Sequence, residues 1–230
     1  YTKGIEIGPK DANAYNNRGS AYAIKGDFDR AIADYTRALK VNPKYADAYK
    51  NRGRIYYNKG DYARAIADYT KGIGIGPKDA NAYNNRGNAY AIKGDFDRAI
   101  ADYTSSLKID PKYANAYKNR GFAYDGKGDF DSAIADYTKA IKINPKYADA
   151  YKNRGFTYFE KGDFDRAIAD YTKAVKINPN YAHAYKNRGF TYFEKGDFDN
   201  AIADYTNALK INPNDADAYN NRGRVSIFNV

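Results

Sequence analysis

The chain has no cysteine, no methionine, no tryptophan and a single histidine, His183. Without cysteine there can be no disulfide, no thiolate metal site and no thiol nucleophile. One histidine is too few to assemble a typical zinc site. Glutamate is scarce too, at Glu6, Glu160 and Glu194 only. No nucleophile–base spacing and no Gly-rich phosphate loop is present, so an enzymatic reading lacks its parts and no cofactor or metal is expected. No apolar run approaches the roughly 18 residues that a membrane-spanning helix needs. No basic-then-apolar stretch opens the chain as a signal peptide would. With no methionine at all, the 230 residues are expected to be a piece of a longer protein. Segments outside it could carry targeting information, so the compartment stays open.

What the chain has in abundance is repetition. Asn-Arg-Gly recurs at Asn17, Asn51, Asn85, Asn119, Asn153, Asn187 and Asn221, always at the same interval. The seven prolines, Pro9 to Pro213, keep that interval too. A period of about 34 residues marks a solenoid of supersecondary units. Counted from a leading alanine, six complete repeats fill 12–215. Residues 1–11 are the end of a partial repeat, and 216–230 are the first helix of a seventh. All of 1–230 reads as one array.

Each repeat reads as two helices. In the first, Tyr15, Gly19 and Tyr22 fall on one helical face with Ala14, Arg18 and Ala21 beside them. Gly26 supplies a helix stop and Asp27 the next N-cap. Phe28, Ala31, Ile32, Tyr35, Ala38 and Leu39 then form a second apolar stripe, which Pro43 ends. Of the 26 tyrosines, 20 occupy three repeat positions, typified by Tyr15, Tyr22 and Tyr35, where core packing is expected.

Over its whole length the chain resembles the tetratricopeptide repeat family, whose pattern is W-x2-L-G-x2-Y, A-x3-F, P. Here it reads Tyr15, Arg18, Gly19, Tyr22, Ala31, Tyr35, Pro43. An aromatic is kept where the family has tryptophan and phenylalanine, whereas arginine replaces leucine in every repeat. The resemblance implies an all-α, right-handed superhelical solenoid of antiparallel helix pairs. First helices would line a concave groove and second helices the convex back. It also implies a scaffold for protein–protein interaction with a protein or peptide ligand.

The arginines Arg18, Arg52, Arg86, Arg120, Arg154 and Arg188 stand at an inward-facing position, and a buried guanidinium needs a partner. The second helices offer Asp34, Asp68, Asp102, Asp136, Asp170 and Asp204, so Arg–Asp pairs within or between repeats are expected. Asp-x-Asp strings such as Asp27 and Asp29 open second helices, where aspartate caps free N–H groups.

The asparagine series lies off the tyrosine face, and the resemblance places it in the groove. An asparagine amide carries a donor and an acceptor, so a ladder of them could hold the backbone of an extended peptide. Alternatively, each could only bond a neighbouring helix and set the stacking. Lys50, Lys118, Lys152 and Lys186 flank the ladder. The later repeats add Phe122, Phe156, Phe190, Phe159 and Phe193, either as aromatic anchors or as packing between first helices. The carboxylate clamp of chaperone-binding relatives is incomplete, because the residue one turn after each lysine is Arg54, Phe122, Phe156 or Phe190, never asparagine.

The formal charge of +10 invites a nucleic-acid partner. Yet the groove lysines together with Arg54 and Arg224 are matched by Asp47, Asp125, Asp149, Asp217, Glu160 and Glu194. The surplus lysines, such as Lys40, Lys108, Lys142, Lys176 and Lys210, sit late in second helices, where they suit the helix dipole. A phosphate-tracking groove would need a stripe of one sign, so nucleic acid is disfavoured. The ends leave apolar stripes, Tyr1 and Ile5 at one and Tyr219 and Ile227 at the other. Head-to-tail self-association is therefore expected as an alternative role.

Overall fold

The computed structural model describes residues 10–228, and among them every regular element is an α-helix. The chain divides into two compact units, 1–112 and 113–230. The first contains α1 (Ala12–Ile24), α2 (Phe28–Val41), α3 (Ala46–Asn58), α4 (Tyr62–Ile75), α5 (Ala80–Ile92) and α6 (Phe96–Ile109). The second contains α7 (Ala114–Gly126), α8 (Phe130–Ile143), α9 (Ala148–Glu160), α10 (Phe164–Ile177), α11 (Ala182–Glu194), α12 (Phe198–Ile211) and α13 (Ala216–Phe228). Within each unit, odd-numbered first helices pack on the second helix that follows them, and each second helix packs on the next first helix. This is the all-α solenoid architecture of stacked helix pairs.

The turn inside a pair has a local cause. Gly26 sits at φ +78°, a left-handed conformation that costs a side chain about 1–2 kcal/mol. It lets Asp27 N donate back to Tyr22 O at 2.9 Å. Asp27 Oδ1 then accepts from Arg30 N at 3.1 Å and so caps α2. Five more glycines, from Gly60 to Gly196, repeat the turn at φ 76–79°. Between pairs the Asn-Pro step ends the helix: Asn42 N donates to Ala38 O, and Asn42 Oδ1 accepts from Lys44 N at 3.0 Å.

The core is built from small residues facing rings. Tyr35, Tyr69, Tyr103, Tyr137, Tyr171 and Tyr205 are almost completely buried, each beside alanines such as Ala31 and Ala38. Glycine at the facing first-helix position is a requirement of close approach. A Cβ on Gly19 would lie 2.9 Å from the Tyr35 ring, below any normal contact. Among the described residues no fully buried side-chain nitrogen or oxygen lacks a hydrogen-bond partner.

Candidate functional site: the first-helix face

The first helices are held in orientation by their arginines. Arg18 Nε donates to Asp34 Oδ2 at 2.6 Å and Arg18 Nη2 to Asp34 Oδ1 at 2.7 Å. The same two-pronged geometry joins Arg52 to Asp68, Arg86 to Asp102, Arg120 to Asp136, Arg154 to Asp170 and Arg188 to Asp204, always within one repeat. The aspartates are buried, and bidentate pairing satisfies both carboxylate oxygens. In Arg18, Arg52, Arg86 and Arg120 the bond to aspartate holds the guanidinium above its ordinary pKa. At Asp204 burial outweighs the arginine and raises the carboxyl.

Sequence reasoning missed a third contact of the same group. Arg52 Nη1 donates to Thr36 Oγ1 of the preceding repeat at 2.9 Å, and Arg86, Arg154 and Arg188 reach Thr70, Thr138 and Thr172 in the same way. One guanidinium thus spans its own repeat and the one before. A second tie runs between turns, from Lys59 Nζ to Asp29 Oδ1 at 2.7 Å, with Lys161–Asp131 and Lys195–Asp165 as counterparts. The Asp-x-Asp string therefore divides its work: Asp27 caps, and Asp29 pairs with the next repeat.

The asparagine series occupies the solvent side of the first helices. Asn17 is exposed, and Asn51, Asn85, Asn119, Asn153, Asn187 and Asn221 are half-buried. Several also bond within the protein. Asn51 Nδ2 donates to Asn16 Oδ1 at 3.1 Å, and Asn84 Nδ2 reaches Asn85 Oδ1 at 3.4 Å. The amides of Asn153 and Asn187 stand near the hydroxyls of Tyr137 and Tyr171, the core tyrosines of the preceding repeats, and partly offset the rise that burial gives them.

The reason lies one turn further along the first helix. In the first unit a polar residue there meets the core hydroxyl: Ser20 Oγ is 3.1 Å from Tyr35 Oη, and Tyr103 Oη donates to Asn88 Oδ1 at 2.8 Å. In the second unit phenylalanine replaces it, and the amides of Asn153 and Asn187 stand near the hydroxyls of Tyr137 and Tyr171. Tyr137 Oη also donates to Asp125 Oδ2 at 2.7 Å, an oxygen that with Oδ1 accepts from Thr157 as well. An amide group has four hydrogen-bonding positions, so one internal bond leaves the others for a ligand.

The lysines separate into two kinds. Lys50 Nζ contacts Asp79 Oδ2 at 2.5 Å and Asp47 Oδ1 at 2.7 Å, and Lys186 Nζ contacts Asp215 Oδ2 at 3.0 Å. Burial pulls Lys50 down, but its two carboxylates outweigh that and leave it raised. Lys118 and Lys152 form no ion pair among the described residues, and burial lowers both. The phenylalanines divide as well. Phe122 and Phe156 are 54% and 45% exposed. Phe159 packs against Phe164 and Phe190, and Phe193 against Phe190 and Phe198, with ring centroids 5.4–6.5 Å apart. Phe159, Phe190 and Phe193 contribute to packing between helices rather than standing as free anchors.

One hollow opens on this face in the first unit, lined by Arg54, Tyr57, Asn85 and Asn88, whereas in the second unit Phe190, Phe193, Asn221 and Arg224 close over a packed crevice with no room for water. A larger cleft between the turns, lined by Asp29, Lys59, Arg64 and Lys93, contains no ladder residue. At the end of the second unit Tyr219 and Ile227 are 48% and 74% exposed, while Tyr1 and Ile5 lie outside the described residues. His183 is exposed. No described helix is long and apolar enough to cross a membrane, and no three described His, Asp or Glu side chains group to hold a metal.

Helix pairs repeated at a constant interval, tied by arginine and presenting one polar–aromatic face, define a helical-repeat solenoid protein. Residues 16–80 and 80–113 match Tetratricopeptide repeat models, and residues 126–162, 155–196 and 191–225 match a TPR repeat model. Among solved structures, MamA is similar at 32% identity, with 71% of this chain and 96% of that one covered and a TM-score of 0.67. YrrB, described as a TPR protein with an unusual peptide-binding site, is similar at 25% identity over 80% of this chain and 94% of its own, with a TM-score of 0.68. A chain of the APC/C hetero-tetramer Cut9-Hcn1 shares the fold at 20% identity over 96% of this chain, with a TM-score of 0.79, and this chain spans 44% of its length. No curated protein matches the chain. The chain belongs to the tetratricopeptide repeat family.

Proposed function

We propose that the chain is a protein–protein interaction scaffold whose first-helix faces bind an extended peptide segment of a partner through the asparagine ladder. The observation that carries this reading is the contrast between the two sides of each first helix. On the inner side the polar groups are paired internally, as Arg18 is with Asp34. On the outer side a regular series of amides keeps access to solvent. Evenly spaced amides, one per repeat, suit a backbone more than a particular side chain, so sequence preference has to come from the flanking lysines and phenylalanines. The peptide-binding relative YrrB supports the same reading.

The test is selection of a random peptide library on the immobilised chain, followed by affinity measurement with Asn17, Asn153 and Asn221 changed to alanine. Asn153 is suited to this because Tyr137 retains Asp125 when the amide is lost. The triple variant is expected to keep its helical content and to lose peptide affinity at least about tenfold, two or more hydrogen bonds at about 1 kcal/mol each. Unchanged affinity refutes the ladder. A second reading, self-association, draws on the exposed Tyr219 and Ile227 of α13. Sedimentation at rising concentration tests it, and a chain that stays monomeric refutes it.

A further inference from the structure

Lys50 and Lys186 each pair with the residue 29 positions on, which precedes the next first helix. For Lys50 and Lys186 that residue is Asp79 and Asp215, and the ammonium is neutralised inside the protein. For Lys118 and Lys152 it is Tyr147 and Tyr181. The tyrosines cannot replace the carboxylate. Burial, with Asp149 adding to it, pushes the Tyr147 hydroxyl up to about 12, and burial followed by its bond to Asp149 raises Tyr181 as well. Both stay neutral, and both donate elsewhere: Tyr147 Oη to Asn115 Oδ1 at 2.6 Å, and Tyr181 Oη to Asp149 Oδ1 at 2.5 Å.

Asp149 is the one carboxylate that acts on both lysines, and one of its oxygens is engaged by Tyr181. Lys118 in turn opposes the charge on Lys152. Two half-buried ammonium groups on neighbouring repeats, neither in an ion pair among the described residues, thus have near them only the field of one carboxylate that Tyr181 already engages. One helical turn beyond them, on the same two helices, stand the exposed rings of Phe122 and Phe156. A cation short of a partner beside an open apolar surface is complementary to a carboxylate next to a large apolar side chain.

We propose that the first-helix face of residues 113–230 selects acidic, aromatic-containing peptide segments, with a ligand carboxylate between Lys118 and Lys152 and the adjoining apolar side chain on Phe122 and Phe156. This rests on the peptide-binding reading above and specifies its ligand. The first unit lacks the feature, because Lys50 is already neutralised.

The experiment uses the full chain and three fluorescein-labelled peptides, each of four triplets: Phe-Glu-Gly, Phe-Gln-Gly and Phe-Lys-Gly. Anisotropy at low salt is expected to rank them glutamate, glutamine, lysine. The glutamate peptide should bind about tenfold or more tighter than the glutamine peptide, the worth of one charge-assisted hydrogen bond. The decisive variant is Tyr147→Asp with Tyr181→Asp, which supplies the carboxylates that Asp79 and Asp215 supply elsewhere. It should erase the glutamate advantage and leave the glutamine peptide unaffected. Lys142→Gln with Lys176→Gln removes the same net charge from exposed second-helix positions and should leave the advantage intact. Equal binding of the glutamate and glutamine peptides overturns the proposal and leaves peptide binding standing. So does a glutamate advantage that survives the double aspartate variant, or one that falls equally with the two glutamine substitutions. If no peptide binds, both the groove reading and this inference fail.

Discussion

Replacing Arg154 by leucine returns the repeat to the family pattern at that position, yet it is expected to destabilise the chain. The guanidinium donates to both oxygens of Asp170 at 2.7 and 2.8 Å, and the Asp170 side chain is only 9% exposed. Removing one partner of such a pair leaves a buried charge without compensation, at about 3–5 kcal/mol. The bond from Arg154 Nη1 to Thr138 goes as well, worth about 1 kcal/mol at most for a neutral, exposed acceptor. So does the position of the cation 5.8–5.9 Å from the Tyr151 and Tyr158 rings, worth about 0.5–1 kcal/mol each. Leucine recovers part of this by burying apolar area, about 1.5–3 kcal/mol if burial were complete. The net expectation is a loss of about 3 kcal/mol. Urea denaturation of Arg154→Leu, Asp170→Asn and the double variant measures it, fitted with a nearest-neighbour repeat scheme because arrays need not unfold in two states. The double variant should be more stable than Arg154→Leu alone, and the coupling should exceed about 2 kcal/mol. A single variant as stable as the parent, or additive effects, would refute the reasoning.

Two further outcomes are expected. Gly74 lies inside α4, is exposed, and would bring an added Cβ within 4 Å of nothing, so Gly74→Ala should stabilise by about 1 kcal/mol; in the parent chain, amides at 70–75 should exchange faster than those at 138–143, and equal protection would remove this weak joint. Asp125 is raised above the ordinary 3.8, first by burial and also by the nearby Glu160, while its bonds to Tyr137 and Thr157 oppose the rise. A carboxyl raised on folding contributes stability that is present below its unfolded value and lost as pH rises through the folded one. Asp125→Asn, which retains an acceptor, should therefore gain over the parent at neutral pH and lose that gain below 3.8; urea midpoints at the two pH values check the sign.

Much of the fold is legible because the self-match of the chain repeats every local signal. The Gly26 turn, the Asp27 cap and the Pro43 stop each have a local chemical cause, and seeing them at each repeat removes ambiguity. The contacts between repeats are less legible. Pairing Arg52 with Asp68 needs only the geometry of one helix pair, whereas its bond to Thr36 depends on how closely repeats stack. The tie from Lys59 to Asp29 is hidden for the same reason. The asparagines are hardest to read, because the surroundings of a ladder amide such as Asn153 depend on which residue stands at a different position of another repeat. For the lysines a signal does stand in the sequence: aspartate or tyrosine, 29 positions after each groove lysine, separates Lys50 and Lys186 from Lys118 and Lys152.

Comparison among the repeats shows where the chain is free to vary. Positions that contact the core are nearly invariant within the molecule, as Gly19, Ala31, Asp34 and Tyr35 recur with little change, and each has a steric or electrostatic reason. A Cβ at Gly19 would strike the ring, and a missing Arg18 would strand Asp34. The position of Ser20 instead holds Arg54, Asn88, Phe122, Phe156, Phe190 and Arg224 in turn. Packing does not dictate the residue at the exposed members of this series, where substitutions usually change stability by about 0.5 kcal/mol or less, whereas Phe190 packs on Phe159 and Phe193. The core hydroxyl follows the change: Tyr35 meets Ser20 and Tyr103 meets Asn88, whereas beside Phe122 the Tyr137 hydroxyl donates to Asp125. The Arg–Asp ties and buried tyrosines preserve the repeat, while the exposed members of the variable position, Arg54, Phe122, Phe156 and Arg224, are free to differ without disturbing the fold beneath them.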